Sequence, residues 1–114
     1  MSPRLSLARS ADFRRVYRSG KRARRDGITV WVARGDEPHR PTRLGLAVRA
    51  TIGTAVIRNR VRRRLRAAFR AYEPATGFDV VARGDTALTG RNFQQMQADL
   101  WAALEAAGLR GRAG

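Results

Sequence analysis

The clearest periodicity in the chain is the two-residue alternation of Ile28–Arg34 (ITVWVAR). It places Ile28, Val30 and Val32 on one face and Thr29, Trp31 and Ala33 on the other, and its β-branched content predicts a strand. Arg43–Val48 (RLGLAV) and residues 78–82 (FDVVA) read as further strands. Helical spacing replaces this period in three places. Ser10 predicts an N-cap, with Asp12 near the positive helix end and Phe13, Val16 and Tyr17 at i, i+3, i+4 before Ser19-Gly20. Thr54 predicts the cap of a long helix that runs to about Tyr72, ahead of Pro74. Its expected apolar stripe is Ile57, Val61, Leu65, Ala68, Phe69 and Tyr72. Asn92 opens a last helix, with Phe93, Met96, Leu100, Ala103 and Leu104 inward and Gly108 as its stop. Residues 21–26 fit a short edge strand or a loop, 35–41 (GDEPHRP) a turn, and 84–90 a loop. The order is helix, two or three strands, helix, strand, helix. That is an α+β fold with a three- or four-stranded sheet, in one domain over 1–114, with 1–8 and 109–114 expected as flexible tails.

Charge changes this picture from a generic fold to a polyanion binder. The 24 Lys and Arg residues against 9 Asp and Glu give a formal net charge of +15 and an isoelectric point near 12.0. Self-repulsion of that size opposes compaction, and a polyanionic partner relieves it. All the basic residues but Lys21 are arginine, whose planar fork suits phosphate and stacks on bases. A GC-rich genome would also favour arginine codons. With no cysteine, disulfides and thiolate metal sites are excluded, in keeping with a reducing compartment. The first ten residues carry Arg4 and Arg9 and no apolar core of signal-peptide length. The longest apolar stretch, 28–33, includes Thr29 and is too short to span a bilayer. A cytoplasmic protein with no membrane partner is the expectation; Trp31 and Trp101 do not share a basic amphipathic helix that could lie on lipid.

The charge concentrates in Arg58-Asn59-Arg60-Val61-Arg62-Arg63-Arg64-Leu65-Arg66. On a helical wheel Arg58, Asn59, Arg62, Arg63 and Arg66 gather in an arc of about 140° beside the apolar stripe, and Arg60 and Arg64 flank its other side. A solvated charged face is the ordinary reading of such a run, but three features oppose it. No Asp or Glu occurs between Leu44 and Tyr72, so no i,i+4 pairs neutralise the cations. They cluster toward the helix N-terminus, where the macrodipole disfavours them. Asn59 is a weak helix former without an evident packing reason. A face unfavourable in three ways points to an anionic ligand, with phosphate the natural one. RNA is favoured over DNA because Phe13, Tyr17 and Trp31 offer stacking surfaces for unpaired bases. Taken alone, Phe13 and Tyr17 read more readily as core residues, and Trp31, on the less apolar strand face, is the better-placed platform.

Catalysis by the polypeptide is not expected. Phosphodiester cleavage needs converging carboxylates for metal ions or a histidine pair. The acids are scattered, only Asp36 and Glu37 are adjacent, and His39, the sole histidine, sits in the same proline-flanked turn. The glycines of 45–53 form no phosphate-cradling signature.

At the arginine helix the sequence resembles the ribonuclease P protein family. The likeness is carried by Leu44-Gly45-Leu46-Ala47-Val48 followed by Gly53-Thr54-Ala55-Val56-Ile57-Arg58-Asn59-Arg60-Val61-Arg62-Arg63-Arg64-Leu65-Arg66. Asp12-Phe13, Val16-Tyr17-Arg18-Ser19-Gly20-Lys21-Arg22 and Phe78-Asp79-Val80-Val81-Ala82-Arg83 resemble its first helix and its strand after the long helix. The resemblance covers about residues 9–104. It implies an α-β-β-β-α-β-α sandwich like a ribosomal-protein domain, a mostly antiparallel four-stranded sheet, and a left-handed crossover through the arginine helix. It implies a ribonucleoprotein that removes the 5′ leader of precursor tRNA, with Mg2+-dependent hydrolysis on the RNA subunit. Arg58, Asn59, Arg60, Arg62, Arg63 and Arg66 would then face the catalytic RNA, and Phe13, Tyr17 and Trp31 would line a cleft for the leader. The chain departs from the family at Arg49-Ala50-Thr51, which stands where a Ser-Lys-Lys-like stretch is usual. A structural RNA-binding protein of ribosomal or RNA-chaperone type, with no role in cleavage, is the competing reading.

Overall fold

The computed structural model describes residues 6–113. Helix α1 (Ser10–Ser19) leads into β1 (Lys21–Arg25), β2 (Ile28–Arg34) and β3 (Arg43–Val48). Helix α2 (Ala55–Tyr72), β4 (Phe78–Gly84) and α3 (Phe93–Ala106) complete the order. The alternation of β2 has the predicted consequence: each face of the strand meets a different layer. Ile28, Val30 and Val32 join Val80 and Ala82 of β4 in a core closed by Val61, Leu65 and Phe69 of α2 and Met96, Leu100 and Leu104 of α3. Trp31, Ala33 and Val81 face the other way, onto Val16 of α1 and Leu7. The sheet order is β1-β2-β4-β3, antiparallel at β1/β2 and β2/β4 and parallel at β3/β4. β2 and β4 are therefore central, with buried residues on both faces, while α2 carries the chain from β3 to its parallel neighbour β4.

The ambiguous basic stretch is an edge strand because the turn after it demands one. Asp26 and Gly27 have φ of 37° and 88° and connect Arg25 to its partner Ile28. Two positive φ values in a two-residue loop form the type I′ geometry that matches strand twist, and Asp-Gly is a sequence that accepts it. Arginines on the exposed edge also discourage pairing with other chains.

Several expectations are corrected. Ser10 is the first residue of α1, not its cap; Arg9 precedes it and makes no side-chain cap bond. Packing of Phe13 and Val16 against Leu7 and the sheet places this helix, so a local capping preference is overridden. Thr54 does cap α2, accepting from the Ile57 N–H at 3.4 Å, but Ile57 itself is 40% exposed. It lies over Gly53 in the first turn, beyond the reach of the sheet. Asn92 and Gln95 form a reciprocal capping box on α3, whose first residue Phe93 is only partly buried.

Of the expected N-terminal tail, residues 1–5 lie outside the described residues, while Ser6 bridges Leu44 and Leu7 is buried. At the other end residue 114 is also outside them, but 109–113 pack back onto the end of α2. Leu109 is fully buried and its carbonyl accepts the Tyr72 hydroxyl at 2.7 Å. Gly111 bridges Pro74, and the Arg112 and Ala113 N–H groups donate to the carbonyls of Glu73 and Tyr72. Apolar content at Leu109 alone was too little signal for this docking. Tyr72→Phe should cost about 1–2 kcal/mol, since it strands a buried acceptor. Urea unfolding measures the loss, and amide exchange should quicken at 109–113.

Candidate nucleic-acid interface

The arginine face of α2 is built from the outside of a helix whose inner stripe is well anchored. Val61, Leu65, Ala68, Phe69 and Tyr72 are buried. Asn59, Arg60, Arg63 and Arg66 are exposed, and Arg58, Arg62 and Arg64 are half-buried along the margin. Arg62 donates to Asn59 Oδ1 at 3.0 Å, and Arg58 donates to the Gly53 carbonyl at 3.4 Å. Asn59 thus positions Arg62, which supplies the local reason for a poor helix former here. Among the described residues none of the arginines at 58–66 pairs with an acid, so the face keeps its full positive charge.

The first turn of the same helix adds apolar exposure, with Val56 67% exposed beside Ile57. Arg49-Ala50-Thr51 leads into it through a 3₁₀ turn, Ala50–Ile52, anchored by the Arg49 N–H on the Gly84 carbonyl at 3.3 Å.

Phe13, Tyr17 and Trp31 meet on the opposite face of the sheet, under α1. The Phe13 and Tyr17 ring centroids are 6.4 Å apart, and Tyr17 meets Trp31 edge-on at 4.7 Å. Trp31 is only 8% exposed and Tyr17 37%, so the expectation that Trp31 is the open platform changes: it backs Tyr17. Two residues not singled out from the sequence complete this surface. The Arg22 and Arg83 guanidinium carbons lie 5.9 and 4.9 Å from the Trp31 ring centroid. Arg22 is the cross-strand partner of Trp31, and Arg83 follows Val81 by one pleat on β4. A pattern within one strand cannot reveal them, because their meeting depends on register between strands.

Close approach fixes α1 over this sheet face. A side-chain carbon at Gly45 would come within 2.7 Å of the Phe13 ring, so glycine there admits the aromatic row.

The acids are largely taken up by arginines. Asp79 is fully buried on the α1 side and holds Arg15, Arg40 and Arg43 together. Arg43 binds it in bidentate fashion, Nε to Oδ1 and Nη2 to Oδ2, both at 2.9 Å. Burial pushes this carboxyl upward, but hydrogen bonds and charge from Arg43 and Arg15 outweigh that and hold it below the usual carboxylate range. The Arg43 guanidinium is correspondingly raised, chiefly by its hydrogen bonds to Asp79. Asp85 is also lowered: burial opposes ionisation, while hydrogen bonds from Arg24 and the Ala87 N–H favour it more. Arg24 spans from Asp85 at 2.7 Å to Thr29 at 3.4 Å. Asp99 pairs with Arg91. His39 is exposed in its turn.

The two predicted groups of residues are therefore not one site. The α2 arginines and the aromatic row lie on opposite sides of the sheet, each with cations that have no acidic partner among the described residues.

The chain is similar to known proteins in sequence and in fold. A family model described as Ribonuclease P matches residues 1–108. The ribonuclease P protein component of Gluconacetobacter diazotrophicus is 39% identical over 108 residues, covering 92% of both chains. That of Pseudarthrobacter chlorophenolicus is 37% identical over 110 residues, covering 92% of this chain and 78% of its own. Among solved structures, a Staphylococcus aureus RNase P protein mutant matches with a TM-score of 0.84 at 25% identity, over 92% of this chain and 89% of that one. The RNase P protein from Thermotoga maritima matches with a TM-score of 0.73 at 25% identity, over 90% and 94%.

Proposed function

The chain belongs to the ribonuclease P protein family, and from that premise we propose that it joins two RNAs through its two basic surfaces. The arginine face of α2 docks on the catalytic RNA, with Arg58, Arg60, Arg62, Arg63 and Arg66 on phosphates and Asn59 holding Arg62 in place. The opposite surface receives the single-stranded 5′ leader of precursor tRNA. Tyr17 presents the accessible ring there, Phe13 and Trp31 support it, and Arg22 and Arg83 supply charge for the leader backbone. The observation that carries this reading is the placement of two uncompensated cationic surfaces on opposite faces of one sheet, only one of which is aromatic.

In this reading the polypeptide performs no bond cleavage. Hydrolysis belongs to the RNA subunit and its Mg2+ ions, in the cytoplasm. The arginine face itself does not fit a divalent cation: between 58 and 66 its side-chain oxygen donor is Asn59 Oδ1, already committed to Arg62. The role of the chain is to neutralise RNA phosphates near the catalytic metals and to raise the local concentration of precursor.

Cleavage of leader-bearing tRNA by the cognate RNA at low magnesium tests the reading. The protein alone should leave the substrate intact, and adding it should raise kcat/KM of the RNA. Tyr17→Ala should then weaken binding of precursor about tenfold while sparing mature tRNA, in keeping with the loss of one stacking contact. Equal losses on both tRNAs would remove the leader role from this surface, and no stimulation by the wild-type protein would overturn the assignment.

A further inference from the structure

A pocket of about 190 Å³ opens between α2 and the β3 edge of the sheet, away from the aromatic row. Leu44 and Phe69, both buried members of the main core, contribute its inner side, while Pro41 and Pro74 contribute apolar surface from the loops. Arg66 and Arg70 bring cations to it, and among the described residues no Asp or Glu takes part in its lining. Of the polar wall groups, which are Ser6, Thr42 and Thr76, the two threonines are engaged elsewhere. The Thr42 hydroxyl donates to the Ala75 carbonyl and accepts from the Phe78 N–H at 3.2 Å, and the Thr76 hydroxyl donates to the Pro38 carbonyl at 3.0 Å. What remains is a mainly apolar slot with Ser6 at its wall and a positive edge.

Three properties limit its occupant. Its volume is below the ~300–1,000 Å³ of pockets for drug-sized ligands, so it suits a single small ring system. With the threonine hydroxyls already engaged, it favours a face-on apolar contact over reading of a hydrogen-bonding edge. Arg66 also belongs to the exposed α2 arc, so an occupant whose phosphate meets Arg66 continues the same polyanion. The geometry points to one unstacked nucleobase of the RNA partner, inserted between α2 and β3 with its phosphate on Arg66. This rests on the docking of the α2 face on RNA and adds to it a base-capture site: a shape contact that fixes where along the RNA the arginine face settles. Phosphate contacts carry no sequence information and by themselves permit sliding, whereas a captured unpaired base selects one place along the RNA.

Pocket-filling variants test it. Thr76→Trp and Pro41→Trp place a ring over the slot from two exposed rim positions, and neither removes a charge. Circular dichroism and urea unfolding first establish that each is folded. Affinity for the cognate ribonuclease P RNA is then measured across monovalent salt, with chemical probing of unpaired bases in each complex. Both variants should bind about tenfold more weakly, the loss expected for one stacked base, with the wild-type salt slope. Each should re-expose one base that the wild-type protein shields, leaving the other protections in place. Arg66→Ala should instead reduce the slope by about 0.7–0.9. Binding of folded Thr76→Trp and Pro41→Trp within twofold of wild type, with an unchanged footprint, would overturn the base-capture site. Failure of the parent reading is separately visible, because the wild-type protein would then show no preference for this RNA over an unrelated one.

Discussion

Asp79→Asn should destabilise the protein by about 3–5 kcal/mol, the range found when one member of a buried ionic cluster is removed. Asp79 is completely buried and its two oxygens gather Arg15 from α1, Arg40 from the β2–β3 loop and Arg43 from β3. Removing its charge leaves three guanidinium groups converging on a neutral amide in a chain already at +15. A domain of this size holds only about 5–15 kcal/mol in total, so much of the stability rests on this carboxylate. Urea denaturation at neutral pH measures the loss. Asp36→Ala is the control: it also pairs with Arg40, yet its side chain is 78% exposed, and the change should stay within about 0.5 kcal/mol. The pH dependence has a definite sign. The folded Asp79 carboxyl lies below the unfolded value of about 3.9. Its contribution is therefore complete above that unfolded value and is lost as the pH falls through the folded one. Acid titration of wild-type stability should show this loss, and Asp79→Asn should flatten it. A variant as acid-sensitive as wild type would show that other carboxylates control the transition.

Replacing Arg62, Arg63 and Arg66 together with alanine should reduce the salt dependence of RNA binding by about 2 to 3 in log–log slope and lower affinity at least about a hundredfold at low salt. The structural response should run the other way. These arginines have no acidic partners among the described residues, and at i, i+3 and i, i+4 spacing on one face of α2 they repel one another. Thermal stability of the triple variant should hold or rise. A fall in stability accompanying an unchanged salt slope would identify the run as a structural element instead. The contrast with Asp79 separates two classes of arginine in one molecule: those neutralised inside to hold the layers together, and those left bare outside to meet phosphate.

Local patterning determined a great deal of this protein. The period-two alternation of Ile28–Arg34 foretold which residues meet α2 and α3 and which meet α1, because a strand's pleat alone decides sidedness. The extents of β2, β3 and α2, the Thr54 and Asn92 caps and the unneutralised arginine arc were likewise legible, since each depends on residues within a turn or two of one another. The Asp26-Gly27 hairpin signal was present too, and it accounts for β1, which composition alone left open.

Contacts between residues distant in the chain were settled only by tertiary structure. Asp79 looked like one scattered acid until β4 paired between β2 and β3 and brought three arginines from three elements to it. Trp31 looked like an open platform until α1 covered it and Arg22 and Arg83 came alongside through strand register. The C-terminal segment looked like a tail until the Tyr72 hydroxyl and the strand-like pairing at Gly111 gave it partners. Side-chain period is a property of one segment and is written locally. Register, helix placement and burial of charge arise only when segments far apart in sequence share a surface.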